Sequence, residues 1–173
     1  MKETVILVDT DGQAIGIMDK MEAHEKGILH RAFSVFIFNS KGQLLLQQRA
    51  LNKYHSGGLW TNTCCSHPRQ GETINSAAKR RLKEEMRMDS DLAELFQFSY
   101  RYEFENGLIE HEYDHVLIGI SDQLPEPDPN EVATFAYVDT NLLLLNLIEQ
   151  PELYTPWFTL CLERVLESYY QMN

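Results

Sequence analysis

The run Trp60-Thr-Asn-Thr-Cys-Cys-Ser-His-Pro68 sets a thiol, Cys65, two residues from an imidazole, His67, just ahead of a carboxylate-rich stretch that begins at Glu72. His24 and His30 upstream, and Glu110 and Glu112 downstream, add groups of metal-binding type. Divalent ions take imidazole and carboxylate donors, and a thiol beside a cation is a candidate acid or nucleophile. The set implies a metalloenzyme with a side-chain proton donor or nucleophile. Glu110 and Glu112 alternate with His111 on a predicted strand, so their carboxylates share one face and repel unless a cation binds there. Three imidazoles and two carboxylates make an N3O2 set suited to an octahedral Mn2+ or Mg2+, and exceed a tetrahedral structural zinc site.

Other residues of the same types read differently. His55, His111 and His115 stand outside the set and read as packing or surface side chains. Cys161, and Cys64 beside the thiol, read as small buried apolar residues. Cys65 is set apart because His67 shares its side of an extended segment.

These groups need a frame. Alternating apolar residues and turn signals predict strands at Thr4–Asp9, Ala14–Met18, Ala32–Phe38, Gln43–Gln48, Phe96–Phe104, Ile109–Gly119 and Val132–Val138. The first two, the next two and the pair joined at Asn106-Gly107 read as antiparallel hairpins. Helices fit Thr73–Met86, Asn141–Ile148 and Pro156–Tyr170, the last with Thr155 as N-cap. On the first helix, Ile74, Ala78, Leu82 and Met86 form an apolar stripe, and Glu85 falls inside it. A core-facing carboxylate must be metal-bound or paired, here with Arg81 one turn earlier, and metal ligation is the reading preferred. Glu84 lies off the stripe as a surface charge. The class is α+β, a mainly antiparallel sheet with helices packed on it.

The 173 residues suffice for one core, and the chain reads as a single domain over 1–173. A net charge of −11 argues against nucleic-acid and membrane-surface partners. Three cysteines, two of them adjacent, make no disulfide framework, and no targeting or membrane-spanning segment is evident. A cytoplasmic location is expected.

From Ser66 to Met88 the chain resembles the Nudix box, G-x5-E-x7-R-E-U-x-E-E-x-G-U with U bulky and apolar, which holds divalent cations against diphosphates. It matches at Glu72, Arg80, Leu82, Glu84, Glu85 and Met88, and departs at Ser66, Arg81 and Arg87. Arginine in place of a box carboxylate suits diphosphate hydrolysis poorly, because hydrolysis needs several carboxylates to organise metals and water. Further motifs are His24-x5-His30-Arg-Ala-Phe-Ser34, Arg49-Ala-Leu-x-Lys53, Gly58-Leu-Trp-Thr-Asn62, Cys65-x-His67-Pro68, Tyr102, Glu110-x-Glu112 and Thr155-Pro-Trp157. With them the chain is similar to the type I isopentenyl-diphosphate delta-isomerases over nearly its whole length.

That resemblance implies a Nudix-like fold with its core at about 30–165 and movement of a carbon–carbon double bond through a tertiary carbocation. It makes Cys65 and Glu112 the opposed proton-transfer groups, with Tyr102 hydrogen-bonded near Glu112 in a unit favoured as the acid. His24, His30, His67, Glu110 and Glu112 would hold Mn2+ or Mg2+, with Zn2+ a further candidate. Lys20, Arg49, Lys53 and Arg81 would clamp the diphosphate, with a second Mg2+ on Glu85 and the Cys65 backbone carbonyl. Trp157 would face the cation, since an indole face attracts positive charge. The expected partner is a small diphosphate, and the expected state a monomer or weak homodimer. A Nudix-type diphosphate hydrolase and a non-catalytic metal-binding domain stay as alternatives; the first leaves Cys65 unexplained, the second the basic clamp.

Overall fold

The structure is a computed structural model and describes residues 3–172. In chain order it runs β1 (Thr4–Val8), β2 (Ala14–Asp19), α1 (Lys20–Lys26), β3 (His30–Phe38), β4 (Leu44–Arg49), β5 (Trp60–Thr61), β6 (Cys64–Ser66) and α2 (Ile74–Met86). There follow β7 (Ala93–Glu103), β8 (Ile109–Ile120), β9 (Val132–Val138), α3 (Thr140–Glu149), a 3-10 turn at Pro151–Leu153 and α4 (Pro156–Met172).

The period of two along β3 decides the layering. Phe33, Val35 and Ile37 point to one face and bury against Ala77, Ala78, Leu82 and Met86 of α2. Phe36 and Phe38 point to the other and bury against Phe158, Leu162 and Val165 of α4. One sheet thus carries a helix on each face, and each fully buried Phe or Leu contributes ~1.5–3 kcal/mol to holding the layers together. The α+β class and the mainly antiparallel sheet agree with the sequence reading. One long pair departs from antiparallel: β3 runs parallel to β8, from His30↔Glu112 to Phe38↔Ile120.

Two further departures have physical causes. The sequence predicts a hairpin of β3 and β4, yet among the described residues the two strands pair only at Phe38↔Leu44. Residues 61–63 wedge between them and satisfy the separated backbones with side chains. Thr63 accepts from Ile37 N at 2.9 Å and donates to Leu45 O at 2.7 Å, while Asn62 Nδ2 donates to Val35 O at 3.2 Å. Past that point the same edge of β4 pairs with β5 at Gln47↔Thr61 and Gln48↔Trp60, while its opposite edge pairs with β9. Helix α1 is absent from the sequence reading because its seven residues carry no apolar stripe. Its ends hold it: Asp19 caps the N-terminus through Glu22 N, and Gly27 closes the other end in the left-handed conformation.

Candidate active site and metal centre

The metal-type residues come from four elements and meet at one end of the sheet. His24 lies on α1, His30 opens β3, His67 follows β6, and Glu110 and Glu112 share a face of β8. The β3–β8 register places His30 directly beside Glu112. Glu112 Oε1 is 3.0 Å from His67 Nε2 and 3.6 Å from His30 Nε2. Donor atoms of His24, His30, His67 and Glu112 all lie within 4.8 Å of one another, and those of His24, His55 and Glu110 form a second such group.

The imidazoles are prepared as ligands. His24 Nδ1 is 2.7 Å from Lys20 O and His30 Nδ1 is 2.8 Å from Ile28 O. A carbonyl only accepts, so each Nδ1 carries the proton and each Nε2 is left with its lone pair. Metal-bound histidines are oriented in this way. The buried Nε2 atoms of His24 and His30, and Nδ1 of His67, have no hydrogen-bond partner among the described residues. Burial pushes His24 and His67 each down to about 4, so both stay neutral at physiological pH. Burial acts the same way on His30, but the Glu112 carboxylate outweighs it and raises that imidazole. Unpartnered neutral imidazoles beside two carboxylates fit a divalent cation.

The tyrosine expectation is corrected. Tyr102 is 43 % exposed and packs edge-on against Phe104, away from Glu112. Tyr100, 7 % exposed, donates from Oη to Glu112 Oε2 at 2.6 Å and lies 3.1 Å from Glu110 Oε2. The β7–β8 register is the reason, pairing Tyr100 with Glu112 and Tyr102 with Glu110 nearer the turn. Counting back from Asn106-Gly107 would have found it. Burial works to raise Glu112, but the His30 and His67 imidazoles beside it hold it well below the usual carboxylate range. Burial and its neighbour Glu112 raise Glu110 well above that range.

Cys65 lines the same cavity as Glu110, Glu112 and Tyr100, a space of about 50 Å³. Its neighbour Cys64 points the other way, into the core under α2. Burial pushes the Cys65 thiol up, only partly offset by Arg49. Trp157 closes one wall and is held by a chain of side chains. Thr155 Oγ1 donates to Thr61 Oγ1 at 2.8 Å, Thr61 donates to Asn62 Oδ1 at 2.8 Å, and Trp157 Nε1 donates to the same oxygen at 3.2 Å. The Thr155 hydroxyl therefore serves the indole's position. Arg49 lies over the Trp157 ring, 5.4 Å from its centroid.

The expected clamp residues Lys20, Arg49, Lys53 and Arg81 all line this cavity. Three are engaged by carboxylates: Lys20 pairs with Glu3 at 3.1 Å, Lys53 with Glu131, and Arg81 with Glu84, Glu85 and, at 3.4 Å, Glu131. Glu85 is buried as its place in the stripe requires, and it takes the salt bridge weighed as the alternative to metal ligation. Arg81 Nη2 donates to its Oε1 at 2.6 Å and Gln47 Nε2 to its Oε2 at 3.0 Å. His55 is not the isolated packing residue expected: its Nε2 is 3.0 Å from Glu110 Oε1. A single histidine in a loop carries no periodic signal, so nothing in the sequence marks it.

Comparison with known proteins gives the class first. The NUDIX domain model matches residues 28–158, which span β3 to the start of α4. A Deinococcus radiodurans protein, DR0079, has the same fold at 21% identity with a TM-score of 0.79, over 94% of this chain and 98% of that one. A MutT protein from Methanosarcina mazei shares it at 17% identity and TM-score 0.63, over 79% and 91%. Much nearer in sequence are isopentenyl-diphosphate Delta-isomerases. That of Burkholderia multivorans is 52% identical over 95% of this chain and 93% of its own length. That of Pectobacterium atrosepticum is 50% identical over 93% and 90%. The chain belongs to the isopentenyl-diphosphate Delta-isomerase family of the NUDIX domains.

Proposed function

We propose that this protein interconverts isopentenyl and dimethylallyl diphosphate, with Cys65 and Glu112 as the two proton-transfer groups. The observation that carries the reading is that Cys65 and Glu112 line one small cavity with the Trp157 indole in its wall. Moving the double bond requires a proton to be added to the terminal alkene carbon and another removed from the carbon nearer the diphosphate. Burial keeps the proton on Cys65 Sγ at rest. Glu112, held ionised by His30 and His67, has the capacity to take one. These resting charges support Cys65 as donor and Glu112 as acceptor toward the allylic product, the reverse of the roles the sequence favours. Tyr100 Oη, 2.6 Å from Glu112 Oε2, orients that carboxylate. The Trp157 face stabilises a carbocation between them by ~2 kcal/mol when water is excluded.

Mn2+, Mg2+ or Zn2+ held by His24, His30, His67, Glu110 and Glu112 would keep both carboxylates ionised and fixed. Lys20, Arg49, Lys53 and Arg81 would receive the diphosphate. Glu85, whose oxygens each accept one hydrogen bond, from Arg81 and from Gln47, would hold a second Mg2+ together with the Cys65 carbonyl, supplying positive charge to the diphosphate.

The test is incubation of metal-reconstituted protein with isopentenyl diphosphate and Mg2+, following allylic product and free phosphate together. Allylic product without phosphate supports the isomerase. Phosphate without allylic product would move the chain to the hydrolytic NUDIX enzymes.

A further inference from the structure

The loop between β4 and β5 brings a fourth imidazole to the cluster. The His55 ring is 6 % exposed, stacked 4.4 Å from Phe104 and edge-on to Tyr54 at 4.4 Å and to Trp157 at 6.0 Å. Three aromatic walls leave the ring little freedom and aim one edge at β8. Its Nε2 lies 3.0 Å from Glu110 Oε1, yet that nitrogen has no hydrogen-bond partner among the described residues, because the ring edge is not turned along the line to the oxygen. A histidine placed to hold Glu110 by a hydrogen bond would point its N–H at the carboxylate. Two donors converging on a third atom sit side by side in the way seen here. Around an octahedral ion at ~2.1 Å, adjacent donors lie about 3 Å apart and opposite ones about 4.2 Å. The His24, His55 and Glu110 donor atoms fall within 4.8 Å of one another.

The backbone is arranged for this placement. Ser56, the next residue, takes φ +51, a left-handed conformation that costs a non-glycine residue energy. The turn sets the Ser56 hydroxyl 3.3 Å from His55 Nδ1, where that oxygen can accept the N–H and so leave Nε2 with the lone pair. The Lys20 and Ile28 carbonyls treat His24 and His30 in the same way. The loop is fastened from both sides, by Arg49 donating to His55 O at 3.3 Å and Asn106 donating to Tyr54 O at 3.0 Å.

We propose that His55 Nε2 is the sixth donor of the metal centre, completing a set of four imidazoles and two carboxylates. The inference rests on the assignment of the other five ligands under the proposed function and extends it. With six protein donors no position is left for water or substrate, so the ion acts by fixing Glu110 and Glu112 and by its charge. Four nitrogens also shift preference away from Mg2+ toward Mn2+, Co2+ or Zn2+.

The experiment is X-ray absorption on the full chain loaded with one equivalent of Co2+, counting imidazoles from their outer-shell scattering, beside His55→Phe and His55→Gln. Wild type should show four imidazoles and six light donors, and each variant three imidazoles with a Co2+ Kd weakened roughly 10–100-fold in chelator competition. The wild-type count does not depend on either variant folding. Three imidazoles in wild type would overturn the proposal while leaving the five-ligand site intact, as would a Kd unchanged by both variants. Wild-type protein that takes up no stoichiometric Co2+ would overturn the five-ligand site, and His55 with it.

Discussion

Tyr100 and Tyr102 stand two residues apart on one strand and differ in what they reach. Tyr100 donates to a buried carboxylate that the mechanism needs ionised and aimed, whereas Tyr102 sits 43 % exposed over Phe104. A hydrogen bond to a charged group contributes ~1.5–3 kcal/mol, so Tyr100→Phe should lower kcat roughly ten- to a hundredfold, and Tyr102→Phe about twofold at most. Steady-state isomerisation assays of both variants check this, and the opposite order would remove Tyr100 from the site. Motif spacing alone did not separate the two tyrosines, because it matches residue types and not the register that turns one of them inward. The histidines divide the same way. His24, His30 and His67 were legible through company and spacing, while His55 depends on a loop conformation that leaves no periodic trace.

Helix α2 shows how an altered motif is carried by the fold. It ends at Arg87 with φ +56, where the Nudix box has a glycine. The left-handed conformation strains any residue with a Cβ, so Arg87→Gly should stabilise the protein by about 0.5–1 kcal/mol, read as a higher urea midpoint. At the other end Glu72 receives Arg80 through two bonds, 2.6 and 2.8 Å, and this pairing holds its carboxyl down to about 2. A depressed folded pKa means stability that is present above the unfolded value of 4.5 and is lost as pH falls toward 2. Because the pair is partly exposed, its contribution is discounted to about 1 kcal/mol at neutral pH. Urea titrations of wild type and Glu72→Gln should differ by that much at pH 7, and the gap should shrink below pH ~4.5 and close toward pH ~2. A gap that stays constant down to pH 3 would show that Glu72 acts through packing. The faces of α2 and β3 were readable from their periods of 3.6 and 2. The wedge at residues 61–63 was not, because it is made by side chains bonding to backbone, which hydrophobic pattern does not encode.

At the scale of the molecule, the candidate metal centre ties α1, β3, the segment after β6 and β8 together through buried side chains, whose free imidazole nitrogens have no hydrogen-bond partner among the described residues. Binding at a hundred times Kd stabilises the folded chain by ~2.7 kcal/mol, which for this size is about 5–10 °C in Tm. Chelation should therefore lower Tm by that amount, readdition of Mn2+ should restore it, and His24→Ala should show neither change in calorimetry. Equal melting with and without metal would separate the cluster from any cation.

The central claim is that Cys65 and Glu112 move two protons on opposite sides of one carbocation. Its most direct test is turnover of isopentenyl diphosphate in D2O by wild type, Cys65→Ala and Glu112→Gln, following the carbon-bound deuterium by NMR. Wild type should place solvent deuterium in the new methyl group of the allylic product, and each variant should lose turnover by at least roughly a hundredfold. Near wild-type isomerisation by either variant, with the same labelling, would contradict the account.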